Sequence, residues 1–342
     1  MKLSIIMPIY NVEDCLERTI ALTATQICNK NDVELILVDD GSEDRSPEIC
    51  DRYSAHYVNV KTLHQKNAGT GAARNAGIKN ARGEYLYFAD PDDYLADDTV
   101  AAILKMITKQ AELFIFNYWN VDSLTGKKER KFLGVNALLN KADFRSDFVK
   151  LFKTEMLYTV WNKVYQKKFL LEHRLLFGNA PMGQDVRFNL AVYEKVDSVY
   201  LSTECLYYYV QDRIGSSTTK YRSNRFQLKS EEVHLLQKLL TEFGLEAPDF
   251  IELLYRNVFL DVSRHIVDCN LSNKEKVKEL QRLCSSELFA HLEKTEFKPS
   301  ISWLLLYKGW YDCLIWYVKS RLYLQNRLAV LTTHKHITSA SD

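Results

Sequence analysis

The sequence predicts an α/β protein built on a mainly parallel sheet, with a helical region appended towards its C-terminal end. Short β-branched and aromatic runs alternate with helical segments from Leu3 to Asp98, the pattern of βαβ units. Two of those runs end in carboxylates, at Val38-Asp39-Asp40-Gly41-Ser42 and at Phe88-Ala89-Asp90-Pro91-Asp92-Asp93. The alternation then stops, and from about Arg222 onward apolar residues recur at helical spacing.

In chain order, strands are expected at Leu3 to Tyr10, Val33 to Asp40, Val58 to His64 and Tyr85 to Ala89, with helices near 14 to 26, 44 to 56 and 70 to 81. Ser46-Pro47 suits a helix start, with the serine as cap and the proline at the first helical position. Gly83 is placed to cap the end of the third helix. A further helix follows Asp98, with Asp97 or Asp98 as its cap. Glu112 to Val121 then reads as a strand, and Thr125-Gly126-Lys127-Lys128 as the polar turn of a hairpin. Segments 142 to 172 and 184 to 195 look helical, and Ser198 to Ser202 and Cys205 to Gln211 look like two short strands. Asp212 to Thr219 is a polar, glycine-containing loop. Pro248 and the Asn270 to Asn273 region break the helical tail. The expected division is residues 1–220 for the α/β domain and 221–342 for the helical region.

A chain of 342 residues is long for a single domain, and 46% apolar residues suffice for a sizeable core. Lys and Arg number 45 against 44 Asp and Glu, so no global charge argues for a nucleic-acid partner. Seven scattered cysteines without a CxxC pair argue against a disulfide framework or a structural zinc, and for a reducing cytoplasm. The apolar start is short, contains Pro8 and lacks a cleavage pattern, so it reads as a strand rather than a signal peptide. No uncharged run reaches the roughly 18 to 20 residues that span a bilayer.

In an open parallel sheet, ligands gather at the carboxyl ends of strands, so two acidic strand ends meet one ligand from two directions. Asp90 and Asp92, one residue apart, suit a hard cation such as Mg²⁺ or Mn²⁺ shared with phosphate oxygens. A nucleoside diphosphate with that cation is the natural fit. The plainer alternatives are a solvated acidic turn at Asp90 to Asp93 and favourable turn chemistry at Asp39 to Ser42. Tyr10 closes the first strand, where its ring is placed to stack on a base. Asn67 to Gly77 opens a helix with glycines, but Arg74 stands where a dinucleotide fingerprint needs its third glycine. Arg74 is left either facing phosphate at a helix N-terminus or forming a surface ion pair. His64, alone at a strand end, is read as structural.

Pro8-Ile9-Tyr10-Asn11, Val38-Asp39-Asp40-Gly41-Ser42, Ala73-Arg74-Asn75-Ala76-Gly77 and Gly83-Glu84-Tyr85 followed by Asp90-Pro91-Asp92-Asp93 occur in the order seen in family 2 glycosyltransferases, which the chain strongly resembles. The match is dense over residues 3 to 100. It extends to about 220 through Trp161-Asn162-Lys163-Val164-Tyr165, Gln184-Asp185 and Tyr207-Tyr208-Tyr209 with Arg213 to Ser216. The resemblance implies a GT-A fold, a nucleotide-sugar donor with UDP expected, a divalent cation (Mn²⁺ or Mg²⁺) and inversion at the anomeric carbon. It places Asp40 on the uracil edge, with Pro8, Tyr10, Asp39 and Asn67 in the same donor-binding region. It places Asp90 and Asp92 on the ribose and the metal-diphosphate, with Pro91 where the family often has serine.

Asp185 is the implied general base; its neighbour is Gln184 where the family commonly has glutamate, which removes one charge. Arg74, Lys163 and Arg213 are the cations available to the diphosphate. Arg213 is expected to close over the donor, and Trp161 and Gln184 to meet the acceptor. A glycan or lipid-linked oligosaccharide is the expected acceptor. Two other readings compete: a scaffold that keeps the fold without turnover, to which only Gln184 points, and a sugar-phosphate nucleotidyltransferase, which would want a glycine-rich, Arg-containing loop after the first strand. The aromatic and basic run 303–321 is either an interfacial helix at the inner face of the membrane or a helix docked on the protein body.

Overall fold

A computed structural model describes residues 1–123, 125–211, 222–292 and 300–321. The chain divides into two compact units, Met1–Asp122 with Lys127–Gln211, and Ser123–Gly126 with the residues after Gln211.

The first unit opens with Leu3–Ile9 (β1), Glu13–Ile27 (α1), Val33–Asp39 (β2), Ser46–His56 (α2), Val60–His64 (β3), Thr70–Asn80 (α3), Tyr85–Phe88 (β4), Tyr94–Leu95 (β5) and Thr99–Met106 (α4). It continues with Leu113–Asp122 (β6), Lys128–Lys131 (β7), Ala137–Asn140 (β8), Lys141–Phe152 (α5), Lys163–Gln166 (β9), Lys167–Glu172 (α6), Gln184–Lys195 (α7) and Ser198–Gln211 (β10). The main path of the sheet runs β3-β2-β1-β4-β9-β6-β10-β5. The β1–β2, β2–β3, β1–β4 and β6–β10 pairs are parallel. Every residue of β1, β2 and β4 is buried, which is why these strands read as continuous apolar runs rather than alternating ones. Their carboxyl ends deliver Asp39-Asp40 and Asp90 to the same edge of the sheet.

Several expectations are corrected. Residues 142–172 are not one helix. The chain leaves α5, Glu155 takes a left-handed φ of 66°, and the loop closes on Lys163 before β9 inserts antiparallel between β4 and β6. Val164 and Tyr165 are fully buried there, so a short strand wins over local helix propensity. Ser198 to Gln211 is one strand, because register shifts between Leu201 and Tyr207 absorb the irregularity as bulges. The third strand begins at Val60, leaving Val58 fully exposed. Arg45 rather than Ser46 precedes α2; the Ser46 hydroxyl instead accepts from the Val12 amide, and Asp44 accepts from the Ser46 amide. Asp98 flanks α4 without a side-chain cap bond. Gly83 does not cap α3, which ends at Ala81. A Cβ at Gly83 would lie 2.5 Å from the Ser4 amide, so glycine is required for close backbone approach.

The second unit contains Arg225–Glu242 (α8), Pro248–Asp268 (α9), Asn273–Cys284 (α10), Glu287–Leu292 (α11), Ile301–Tyr307 (α12) and a helix over residues 311 to 321 (α13). Both expected breaks are helix starts: Pro248 opens α9, and Ser272 with Glu275 forms a capping box for α10. Its core joins Phe226, Phe259, Phe289 and Trp303 through tilted and edge-to-face ring contacts. No helix of the described residues is long and apolar enough to cross a membrane.

Candidate active site

The first acidic strand end is a knot of loops. Asp39 accepts from the Ser42 amide at 3.0 Å and meets His64 Nδ1 at 2.9 Å, while His64 Nε2 meets Asp51 at 3.0 Å. Hydrogen bonds donated to Asp39 and Asp51 hold the imidazolium above its ordinary pKa, against partial burial. Asp40 is buried; its Oδ1 accepts from Gln65 Nε2 at 2.7 Å and the Ala68 amide at 2.9 Å, and its Oδ2 accepts from the Gly69 amide at 2.7 Å. Asn11, at φ 48°, accepts from the Glu43 amide and donates its own amide to Ser42 Oγ. Gly41 sits at φ 74° with the Asn67 amide 2.8 Å from where a Cβ would stand, so a side chain there would push the 65–69 loop away.

The second acidic end is crowded with carboxyls. Arg74, buried on α3, donates from one guanidinium nitrogen to Asp185 Oδ1 at 2.5 Å and from the other to Asp90 Oδ1 at 2.8 Å. Its plane lies 5.2 Å over the Phe177 ring. The rest of the 177–184 segment is fastened to α3. Asn75 exchanges hydrogen bonds with the Phe177 backbone, and a Cβ at Gly71 would stand 2.7 Å from Gln184 Oε1. Asp185 occupies the first turn of α7, where the helix dipole favours an anion. Behind this pair, the Tyr207 hydroxyl accepts from the Asp90 amide and donates to Asp93, which also accepts from the Val210 amide at 2.7 Å.

Burial pushes the Asp90 carboxyl up to about 6; Arg74 opposes that shift, and the charges of Asp185 and Asp92 reinforce it. Burial, with Asp92 and Asp90 alongside, raises Asp93 well above the usual carboxylate range. Arg74 stays protonated despite burial because Asp185 and Asp90 face it. Asp90 and Asp185 thus face one guanidinium with Asp92 acting on Asp90 from beside them, more carboxyls than Arg74 alone offsets, an arrangement that favours a cation. No cluster of three metal-ligating side chains occurs among the described residues. That donor set fits Mg²⁺ or Mn²⁺ completed by phosphate oxygens and water rather than a cage of protein ligands. The Arg74 Nε and the Tyr87 hydroxyl are buried there without a hydrogen-bond partner.

The structure brings together Arg74, Asp90 and Asp185, with Asp92 and Gln184 beside them, and separately Asp39, Asp40 and the 65–69 loop carrying an exposed Asn67. Tyr10 is exposed at the end of β1, whereas Pro8 is buried within that strand. Gln184 donates to the Ala180 carbonyl. Two expected contacts lie in the core instead. Lys163 is fully buried and donates to the Met156 and Thr159 carbonyls and to Asn162 Oδ1, and burial holds its ammonium well below its ordinary pKa. Trp161 stacks on Tyr207 and Tyr209 at 4.6 and 5.1 Å. Arg213 and its loop lie outside the described residues. The linkage of Asp93 and Tyr207 went unassigned in the sequence, although both stand inside quoted motifs. Its signal is a carboxylate immediately after the acidic pair and a tyrosine-rich strand end.

Residues 4–173 match the family model Glycosyl transferase family 2. The chain belongs to that family. The chain is 32% identical over 225 residues to the uncharacterized glycosyltransferase EpsJ of Bacillus subtilis, covering 64% of each chain. The match therefore spans less than two thirds of that relative. Staphylococcus aureus TarS, described as a poly(ribitol-phosphate) β-N-acetylglucosaminyltransferase, is 28% identical over 218 residues, 63% of this chain and 36% of TarS. The crystal structure of TarS 1-349 in complex with UDP-GlcNAc superposes with a TM-score of 0.63 at 18% identity, over 95% of this chain and 92% of that one. The mannosyltransferase PcManGT of Pyrobaculum calidifontis, in complex with GDP-Man and Mn²⁺, superposes at 0.51 and 16% identity, over 93% and 84%. The fold is GT-A.

Proposed function

We propose that this glycosyltransferase moves a sugar from a UDP-sugar to a hydroxyl of a bacterial surface glycan or lipid-linked oligosaccharide, with inversion. One observation carries the proposal: Arg74 holds Asp185, the candidate base, and Asp90, the candidate diphosphate-side carboxylate, on one guanidinium although 111 residues separate Asp185 from Arg74. UDP-GlcNAc bound to TarS supports the donor class, and the poly(ribitol-phosphate) acceptor in that protein's name supports the acceptor class. The scattered cysteines are consistent with work in the reducing cytoplasm.

In this mechanism Arg74 fixes the orientation of Asp185 through their ion pair, with about a quarter of the Asp185 side chain open to an incoming acceptor. Asp185 takes the proton of the acceptor hydroxyl as its oxygen bonds to the anomeric carbon from the face opposite the departing diphosphate. Asp90 and Asp92 would hold Mn²⁺ or Mg²⁺, which when bound offsets the charge on the leaving diphosphate. Tyr10 supplies an exposed ring for the base, and Asp40 acts by fixing the 65–69 loop.

A panel of nucleotide sugars with and without Mn²⁺ tests the proposal on wild type, Asp92→Asn and Asp185→Asn. One sugar is expected to release UDP in a metal-dependent way. Asp92→Asn weakens the metal dependence, and Asp185→Asn slows turnover by about 10²- to 10⁴-fold with UDP affinity intact. Failure of the wild type to bind any nucleotide sugar overturns the donor assignment. Undiminished turnover by Asp185→Asn overturns the base.

A further inference from the structure

The run 303–321 divides by burial. Trp303 and Leu306 of α12, and Leu314, Ile315 and Val318 of α13, face the core of the second unit. The opposite sides do not become polar. On α12, Ile301 and Leu304 stand outward from Trp303 and Leu306, with Ile301 57% exposed. Gly309, at φ 67°, ends that helix, and Trp310 follows it at 57% exposure. On α13, Trp316 projects away from the buried triplet at 71% exposure, the most open aromatic side chain among the described residues. A soluble helix normally turns charged residues outward, so α12 carries an apolar outer side with no counterpart in the core.

The charges beside these side chains favour an anionic partner. Lys308, which caps α12, and Lys319 and Arg321 of α13 are exposed, with Asp312 the single exposed acid of residues 300–321. Lys308 lies 5.0 Å over the Tyr307 ring, and Lys319 donates to Asn273. Outward Trp, Ile and Leu bordered by Lys and Arg is the composition of a segment that lies in the headgroup layer of an anionic bilayer. No helix here is suited to span one.

We infer that α12 and α13 form an interfacial docking surface for an anionic membrane, with Trp316, Trp310, Ile301 and Leu304 entering the headgroup layer and Lys308, Lys319 and Arg321 meeting lipid phosphates. This surface is independent of glycosyl transfer, so its test needs neither donor nor acceptor. A second copy of the chain is the competing occupant, and basic residues flanking the apolar side disfavour self-association there.

The test is co-sedimentation of the full chain with vesicles of phosphatidylcholine alone and with about one third phosphatidylglycerol, together with tryptophan fluorescence. Wild type is expected to bind the anionic vesicles, to blue-shift its emission and to dissociate as salt rises. Trp310→Ser combined with Trp316→Ser is expected to weaken binding by about tenfold or more, and Lys319→Gln with Arg321→Gln by several-fold on anionic vesicles only. Trp316→Phe retains binding, which separates loss of the surface from loss of the fold; circular dichroism checks the double variants. The inference is overturned if wild type stays in the supernatant with anionic vesicles, or if the tryptophan double variant binds as tightly as wild type. A wild-type dimer that ignores vesicles and is dissociated by the tryptophan double variant overturns it in favour of a second copy.

Discussion

The two acidic strand ends look alike in sequence and behave oppositely in the fold. Asp40 is saturated by two backbone amides and one side-chain amide, all neutral donors, and Asp39 by an amide and His64. Asp90 and Asp185 share one guanidinium with Asp92 and Asp93 close to Asp90, and burial with mutual repulsion drives Asp90 and Asp93 upward. Saturated carboxylates build loops. Crowded ones keep unmet demand for positive charge, and that demand is what a metal-diphosphate supplies.

The largest effect is expected at the shared guanidinium. Arg74→Ala leaves buried carboxylates without their counter-charge and should cost about 3–5 kcal/mol in denaturant unfolding, with loss of donor turnover. If stability is unchanged, the crowding at the second end is not held by Arg74. Asp40→Asn comes next: one of its oxygens becomes a donor facing an N–H, so about 1–3 kcal/mol should be lost with or without metal. Asp92→Asn should act in the opposite sense, raising the metal-free thermal midpoint slightly by removing a like charge, and abolishing any rise on adding Mn²⁺. Equal destabilisation by the Asp40 and Asp92 variants would erase the distinction between the two ends.

The smallest effect concerns His64. Its pKa in the fold lies above the ordinary 6.5, so its stabilising contribution is complete below about 6.5 and disappears as pH rises through the raised value. His64→Gln should flatten that part of the stability-versus-pH curve, and the imidazole proton resonance should titrate above 6.5. A titration at or below that value removes Asp39 and Asp51 as its partners.

β1 and β2 were legible because each is buried on both faces and announces itself by a continuous apolar run rich in β-branched residues. Lys163 and Trp161 were not, because polar and aromatic residues at a strand start read equally as ligand contacts or as core. Only the closure of the 153–162 loop onto the Lys163 ammonium decides between them. The run 303–321 was ambiguous for a similar reason: a helix can bury one aromatic side and expose another, and its periodicity does not say which side finds a partner.

By itself, the sequence determined the alternation of strands and helices, the two acidic strand ends and the family motifs, since these depend on neighbours along the chain. Tertiary structure alone decided which carboxylates are satisfied and which are crowded. Arg74 reaches Asp90 across 16 residues and Asp185 across 111, and pairing over such separations follows from strand order and burial rather than from local pattern.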